Sequence, residues 1–167
     1  MLIWKIDVRD VNQIKKKILK INKISHKNNK KLRTQEISKL ASKIAVHSCI
    51  RNFVNKLQYD FVNKNKNIQG FVVDGRDIGS VVFKNANLKL YIEVNPEIRA
   101  KRRYKQLIDS GEKSIYPKIL RDIKLRDKKD KKRKYSPLII PDGAHVINND
   151  GKFKDTIKQI SNLLKNT

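Results

Sequence analysis

Residues 71–83 read Phe71-Val72-Val73-Asp74-Gly75-Arg76-Asp77-Ile78-Gly79-Ser80-Val81-Val82-Phe83, an apolar run that drops straight into a charged turn. Arg76 stands among Asp74 and Asp77, and Gly75 and Gly79 keep the backbone compact around it. A guanidinium in that setting can hold a phosphate through paired N–H donors, while a neighbouring carboxylate accepts from an amine or a hydroxyl. A second charged run, Leu125-Arg126-Asp127-Lys128-Lys129-Asp130-Lys131-Lys132-Arg133, mixes the same residue types. Taken alone, either run is also compatible with a solvated, salt-bridged surface. The remaining reactive residues form no pattern. His26, His47 and His145 have no ligand spacing among them, so no metal site is expected. Cys49 has no partner for a disulfide, fits a reducing compartment and reads as a structural thiol.

The elements that must carry these residues follow from periodicity. Asp10 is a good N-cap for a helix through Val11, Ile14, Ile18, Leu19 and Ile21, and residues 22–31 are polar enough to be a loop. A second helix is predicted from near Thr34, with Ile37, Leu40, Ala41, Ile44 and Ala45 on one face. Ile50, Phe53, Val54, Leu57 and Phe61 predict a third. Phe71-Val72-Val73 then reads as a short, fully apolar strand of a sheet covered on both faces, and residues 88–94 as a second strand. Asn95-Pro96-Glu97 supplies a cap, a proline and an acid at the start of a helix that ends near Gly111. Another helix is expected over 117–130, a last strand over 144–148 and a closing amphipathic helix over 153–164. Strands alternating with helices predict an α/β layered fold with a parallel sheet.

The chain has 167 residues, the size of one domain, with 38% hydrophobic and 34% charged residues. That balance suggests a small core under a heavily solvated surface. A net charge of +24 favours polyanions, from nucleotides to nucleic acid and acidic membrane surfaces. The lysines scatter without interleaved aromatics, however, and A/T-rich codons would inflate Lys, Asn and Ile together; nucleic acid is therefore not the expected partner, although the charge permits it. The first residues are too short and charged for a signal peptide, and no apolar run approaches a membrane span. A cytoplasmic monomer is the expectation.

The stretch from Phe71 to Phe83, the strand after it and Asn95-Pro96-Glu97-Ile98-Arg99-Ala100-Lys101-Arg102-Arg103-Tyr104 resemble the corresponding segments of bacterial cytidylate kinases. The run Leu32-Arg33-Thr34-Gln35-Glu36-Ile37-Ser38-Lys39-Leu40-Ala41-Ser42-Lys43-Ile44-Ala45, followed by Ile50-Arg51, is similar to the family's insert over the base. The resemblance implies a P-loop-kinase-like layered parallel sheet with helices on both faces. It treats 1–167 as a single domain, with the nucleotide-binding insert at about 34–66 and a lid region at about 99–133. The implied reaction is phosphoryl transfer from ATP, with Mg2+, to CMP or dCMP. Carried over by position, Ser42, Arg51 and Asp77 face the cytosine, Asp74 and Arg76 stand at the acceptor, and Arg126 and Asp130 bind the ribose. Arg133 takes the phosphate, and Arg99, Arg102 and Arg103 meet the donor nucleotide. Arg76, Arg126 and Arg133 are the implied catalytic residues. An Asp that accepts from the cytosine amine would select cytosine against uracil.

None of the six glycines opens a G-x-x-x-x-G-K-[ST] phosphate loop, and the first 69 residues contain no glycine. Against the family, the first strand, P-loop and first helix would lie upstream of Met1. The expectation is a truncated product that is weakly active or inactive alone and marginally stable, with a P-loop from another polypeptide as the alternative. A basic nucleic-acid-binding or non-catalytic interaction protein is the competing function.

Overall fold

Asp10 Oδ1 accepts from the backbone N–H groups of Asn12 at 2.9 Å and Gln13 at 3.0 Å, so the first helix starts where the cap predicts. The computed structural model describes residues 10–18, 35–65 and 67–165. It resolves into two compact units, one up to Val72 and one from Val73. The loop expected over 22–31, the segment Leu32-Arg33-Thr34 and the first nine residues lie outside the described residues.

The first unit contains α1 (Val11–Ile18), α2 (Gln35–Ile44) and α3 (Ser48–Lys64). Ile14 is its buried anchor, and α1 packs on α3. Phe61 and Phe71 meet edge to face, with ring centroids 5.9 Å apart. Ile37, Leu40, Val54 and Phe61 all remain partly exposed, so this unit buries little of its apolar stripe.

In the second unit, β1 (Leu90–Glu93) and β2 (His145–Asn148) form a parallel pair, Leu90 opposite His145 and Glu93 opposite Asn148. Bonds from His145 N–H to Lys89 O and from Asn149 N–H to Glu93 O, each 2.9 Å, continue the ladder at both ends. Between the strands run α4 (Pro96–Asp109) and α5 (Tyr116–Lys132); α6 (Phe153–Lys165) follows β2 and packs on it. The architecture is α/β, mostly helical around a small parallel sheet, in keeping with the P-loop-kinase-like class expected from the sequence.

The start of α4 follows the capping rules closely. Asn95 Oδ1 accepts from Glu97 N–H at 2.8 Å, and Asn95 N–H donates to Asp150 Oδ1 at 2.7 Å. At the other end Glu112 N–H reaches Leu107 O and Gly111 N–H reaches Ile108 O, both at 2.9 Å. That Schellman closure needs a left-handed residue, and Gly111 supplies it with φ +78°. The turn folds α5 back onto α4, burying Ala100, Leu107 and Ile119 with Tyr116, Leu120 and Ile123 packed around them. Lys124 Nζ joins Glu97 Oε1 across the same pair at 2.6 Å.

One expectation is corrected. Phe71-Val72-Val73 is not a strand; it is irregular backbone, and Val72 is fully exposed. A three-residue apolar run becomes a strand only when a neighbour pairs with its N–H and C=O groups, and among the described residues β1 and β2 pair only with each other. The apolar stretch after the charged turn, for which the sequence set no expectation, is helical. Ile78–Val82 winds into one π-turn, with Val82 N–H bonded to Asp77 O at 3.2 Å and Val82 buried.

Candidate phosphate-binding site

The charged turn is held by steric fit and by its far partner. A Cβ on residue 75 would lie 2.6 Å from Ile78 Cγ1, so only glycine lets the backbone pass that close. The chain then presents Arg76, while Asp77 is buried at the head of the π-turn and Asp74 stays exposed.

Arg76 Nε donates to Asp130 Oδ2 on α5, 54 residues away in sequence. Two more guanidinium groups share that carboxylate. Arg133 Nη1 donates to Asp130 Oδ1 at 3.3 Å, and Arg126 Nε is 3.8 Å from Oδ2. The Asp130 and Arg133 side chains are 8% and 7% exposed, whereas those of Arg76 and Arg126 are 37% and 43% exposed. Arg133 is further fixed by a bond from Nε to Ser136 O, at a residue with φ +52°; its Nη2 is buried with no hydrogen-bond partner among the described residues. Leu138 N–H closes the end of α5 onto Asp130 O at 2.8 Å. Burial draws the Arg133 and Arg126 guanidiniums below the ordinary arginine value, and the nearby charge of Arg76 adds to that. All stay cationic, since an arginine starts so high.

Arg76 also faces a cleft of about 720 Å3 bounded by Asp74, β1, Arg99, Asp127 and Lys131. Arg99 is clamped at its far wall. Its Nη1 donates to Asp127 Oδ1 at 3.0 Å, its Nη2 to Asp127 Oδ2 and its Nε to Val94 O at 3.1 Å. The Asp127 hydrogen bond holds Arg99 above its ordinary value.

Of the residues singled out from sequence, the second unit brings Arg76, Arg126, Asp130 and Arg133 together. It does not gather Arg99, Arg102 and Arg103. Arg102 Nη2 donates to Gly151 O at 3.1 Å and Arg103 Nη1 to Gln106 Oε1 at 2.8 Å, so each serves a different contact. Ser42 on α2 and Arg51 on α3 are part-buried residues of the first unit. Sequence reasoning missed Asp127 and Lys131 as cleft walls. The available signal was their i, i+4 spacing from each other within the same charged run.

Three guanidiniums around one carboxylate leave two net positive charges beside the adjoining cleft, an arrangement in an α/β protein that suits an anionic group such as a phosphate. A family model described as cytidylate kinase matches residues 2–166. The chain is 40% identical to the cytidylate kinase of Rickettsia africae over 163 residues, covering 97% of this chain and 72% of that protein. It is 41% identical to the enzyme of Rickettsia akari over 165 residues, with the same coverage, and 42% identical to that of Rickettsia canadensis over 143 residues, 86% of this chain and 63% of that protein. The chain belongs to the cytidylate kinase family, whose members are nucleoside monophosphate kinases.

Proposed function

We propose that this chain carries the acceptor side of a kinase that phosphorylates CMP or dCMP. The observation that carries the reading is the convergence of Arg76, Arg126 and Arg133 on Asp130 beside the cleft. Two net positive charges suit a phosphate monoester, which bears between one and two negative charges at neutral pH. In the reaction an oxygen of the CMP phosphate forms a bond to the terminal phosphorus of ATP, the bridging P–O bond breaks and ADP leaves. The protein's share of such a transfer is alignment and charge compensation. Arg76 at the cleft wall holds the acceptor phosphate, with Arg126 beside it. Asp77, buried and outside the cleft lining, is assigned to the cytosine amine on resemblance alone, as Ser42 and Arg51 are to the base. Of the arginines carried over to the donor nucleotide, Arg99 is the one that lines the cleft.

The 167 residues contain no glycine-rich phosphate loop, so by themselves they bind CMP as a monomer with little turnover. No group of three or more His, Cys, Asp or Glu among the described residues can hold a metal ion. Among the described residues no set of carboxylates therefore fits a magnesium ion, and the reading needs none for CMP binding. No helix among the described residues is long and apolar enough to cross a membrane.

Thermal unfolding with CMP, dCMP and UMP tests the reading, alongside a coupled assay with ATP. CMP at a hundredfold excess over its dissociation constant adds about 2.7 kcal/mol of stability, a shift of several degrees. The shift is expected to be smaller with UMP and to vanish in Arg76→Ala and Asp77→Ala. No shift with either cytidine nucleotide overturns the proposal. Salt-dependent DNA or RNA binding that ignores Arg76→Ala would replace it with the polyanion-binding alternative.

A further inference from the structure

The cleft is lined by every residue from Leu88 to Val94, a run whose side chains alternate between the two faces of the sheet. A space bordered by both sets lies along the edge of the strand and not over one face. Lys89 O accepts from His145 N–H and Glu93 O from Asn149 N–H, so those residues turn their polar groups toward β2. Leu90 and Ile92 hold the alternate positions, and their N–H and C=O groups point to the cleft side. Among the described residues β1 and β2 pair only with each other, so that edge carries no ladder. Val73, Asp74 and Gly75 line the same cleft and are also outside any strand. The geometry points to a strand-receiving slot: a parallel β-strand leading into a glycine-rich phosphate loop, supplied by a second polypeptide, docks on the free edge of β1.

Proteins guard a free edge with charge, proline or a bulge. The cleft side of β1 instead offers Leu90 and Ile92, and Ile92 is 45% exposed. Strand addition satisfies such an edge through main-chain bonds. Val94 O already accepts from Arg99 Nε, so a new ladder stops short of Val94. A strand parallel to β1 therefore ends toward Asn95 and Arg99, on the cleft that Arg76 also lines. Ligands of open α/β sheets sit outside the carboxyl ends of the strands, and a phosphate loop follows a strand directly. The 167 residues contain no such loop, and the 163 matched residues make up only 72% of the Rickettsia africae relative. The docked strand takes the β1 side of the cleft and leaves the Arg76 end to phosphates. The slot rests on backbone geometry alone; the choice of a phosphate loop to fill it rests on reading the chain as the acceptor side of a kinase.

The probe is the part of the Rickettsia africae relative outside the matched residues, made as a separate polypeptide and added to the full 167-residue chain. Binding is read by calorimetry and docking by amide hydrogen exchange. Docking is expected to slow exchange at Leu90 and Ile92 about tenfold or more, and far less at Tyr91 and Glu93, which already face β2. Ile92→Pro deletes a donor on the cleft side while the β2 ladder keeps its own, and is expected to abolish docking. Should that variant fail to fold, the wild type decides: NMR contacts between the probe and the Leu90 or Ile92 backbone support the slot, and contacts elsewhere only overturn it. A probe that does not bind, or binds without slowing those two amides, overturns it. Slowing that grows with the concentration of the chain alone also overturns it, in favour of pairing between two copies. CMP that displaces the probe overturns it as well, because the nucleotide then holds the β1 side. Docking with slowed exchange but no CMP binding supports the slot and refutes the CMP reading. CMP binding by a chain that refuses the probe refutes the slot and leaves the CMP reading standing.

Discussion

Arg133 and Asp130 stand one helical turn apart at the end of α5, joined through Nη1 and Oδ1 at 3.3 Å, and both side chains are more than nine-tenths buried. Arg76, bonded to the same carboxylate, is far more exposed. The two arginines therefore do different work although they share an anion. Arg133 maintains the structure around Asp130, and in the proposed reading Arg76 meets the ligand.

Substitution separates those roles. Arg133→Ala leaves a buried carboxylate short of a partner and opens a void beside Ser136, a loss of about 3 kcal/mol or more in urea unfolding. Arg76→Ala costs less stability but abolishes CMP-induced protection. Equal stability losses in the two variants would contradict the division.

Gly75→Ala introduces a Cβ against Ile78 Cγ1 at 2.6 Å. The turn must shift to admit it, at a cost of about 1–3 kcal/mol. Chemical denaturation reads that cost directly, and Gly75→Ala combined with Ile78→Val should recover part of it. A Gly75→Ala protein as stable as wild type would show that the turn has slack.

Asn95→Ala removes the acceptor for Glu97 N–H at the start of α4, a loss of about 1 kcal/mol. Asp150→Ala removes the acceptor for Asn95 N–H and loosens the segment after β2 from α4. Amide hydrogen exchange at Asn95 and Glu97 distinguishes the two: the first variant speeds exchange at Glu97, the second at Asn95.

Glu97 gives an acid-side prediction. Its bond to Lys124, together with its own backbone N–H, holds the carboxyl below the ordinary value of 4.5. A carboxyl with a lowered folded value contributes its stabilisation fully above the unfolded value, and that contribution fades as pH falls through the folded one. The difference in Tm between wild type and Glu97→Gln should therefore be largest above the unfolded value of 4.5 and shrink as pH falls below it. An unchanged difference across that window refutes the assignment.

What could be read from sequence was what local chemistry decides. Asn95-Pro96-Glu97 specifies a helix start from within three residues, and α4 begins there. Gly111 likewise ends that helix through its own backbone freedom. Phe71-Val72-Val73 fails as a strand because pairing depends on a neighbour that no local pattern supplies. The π-turn at Ile78–Val82 is hidden for a related reason: a run of apolar residues carries no mark of whether it extends or coils. At the site, the company of Arg76, Arg126, Asp130 and Arg133 was anticipated by resemblance, but the partners of Arg99, Arg102 and Arg103 were not. An arginine's charge is visible in sequence; the acceptor it meets depends on which helix folds back to it.

Asp127 and Asp130 occupy successive turns of α5, and each grips an arginine from another segment, Arg99 and Arg76 respectively. Three residues of helix advance about 4.5 Å along the axis. α5 thus acts as a ruler: the separation of the two guanidinium anchors is inherited from helical pitch and not from the flexible arms that reach them. A kink or slip in that single turn would rescale the cleft mouth by shifting Arg76 relative to Arg99 and Asp127.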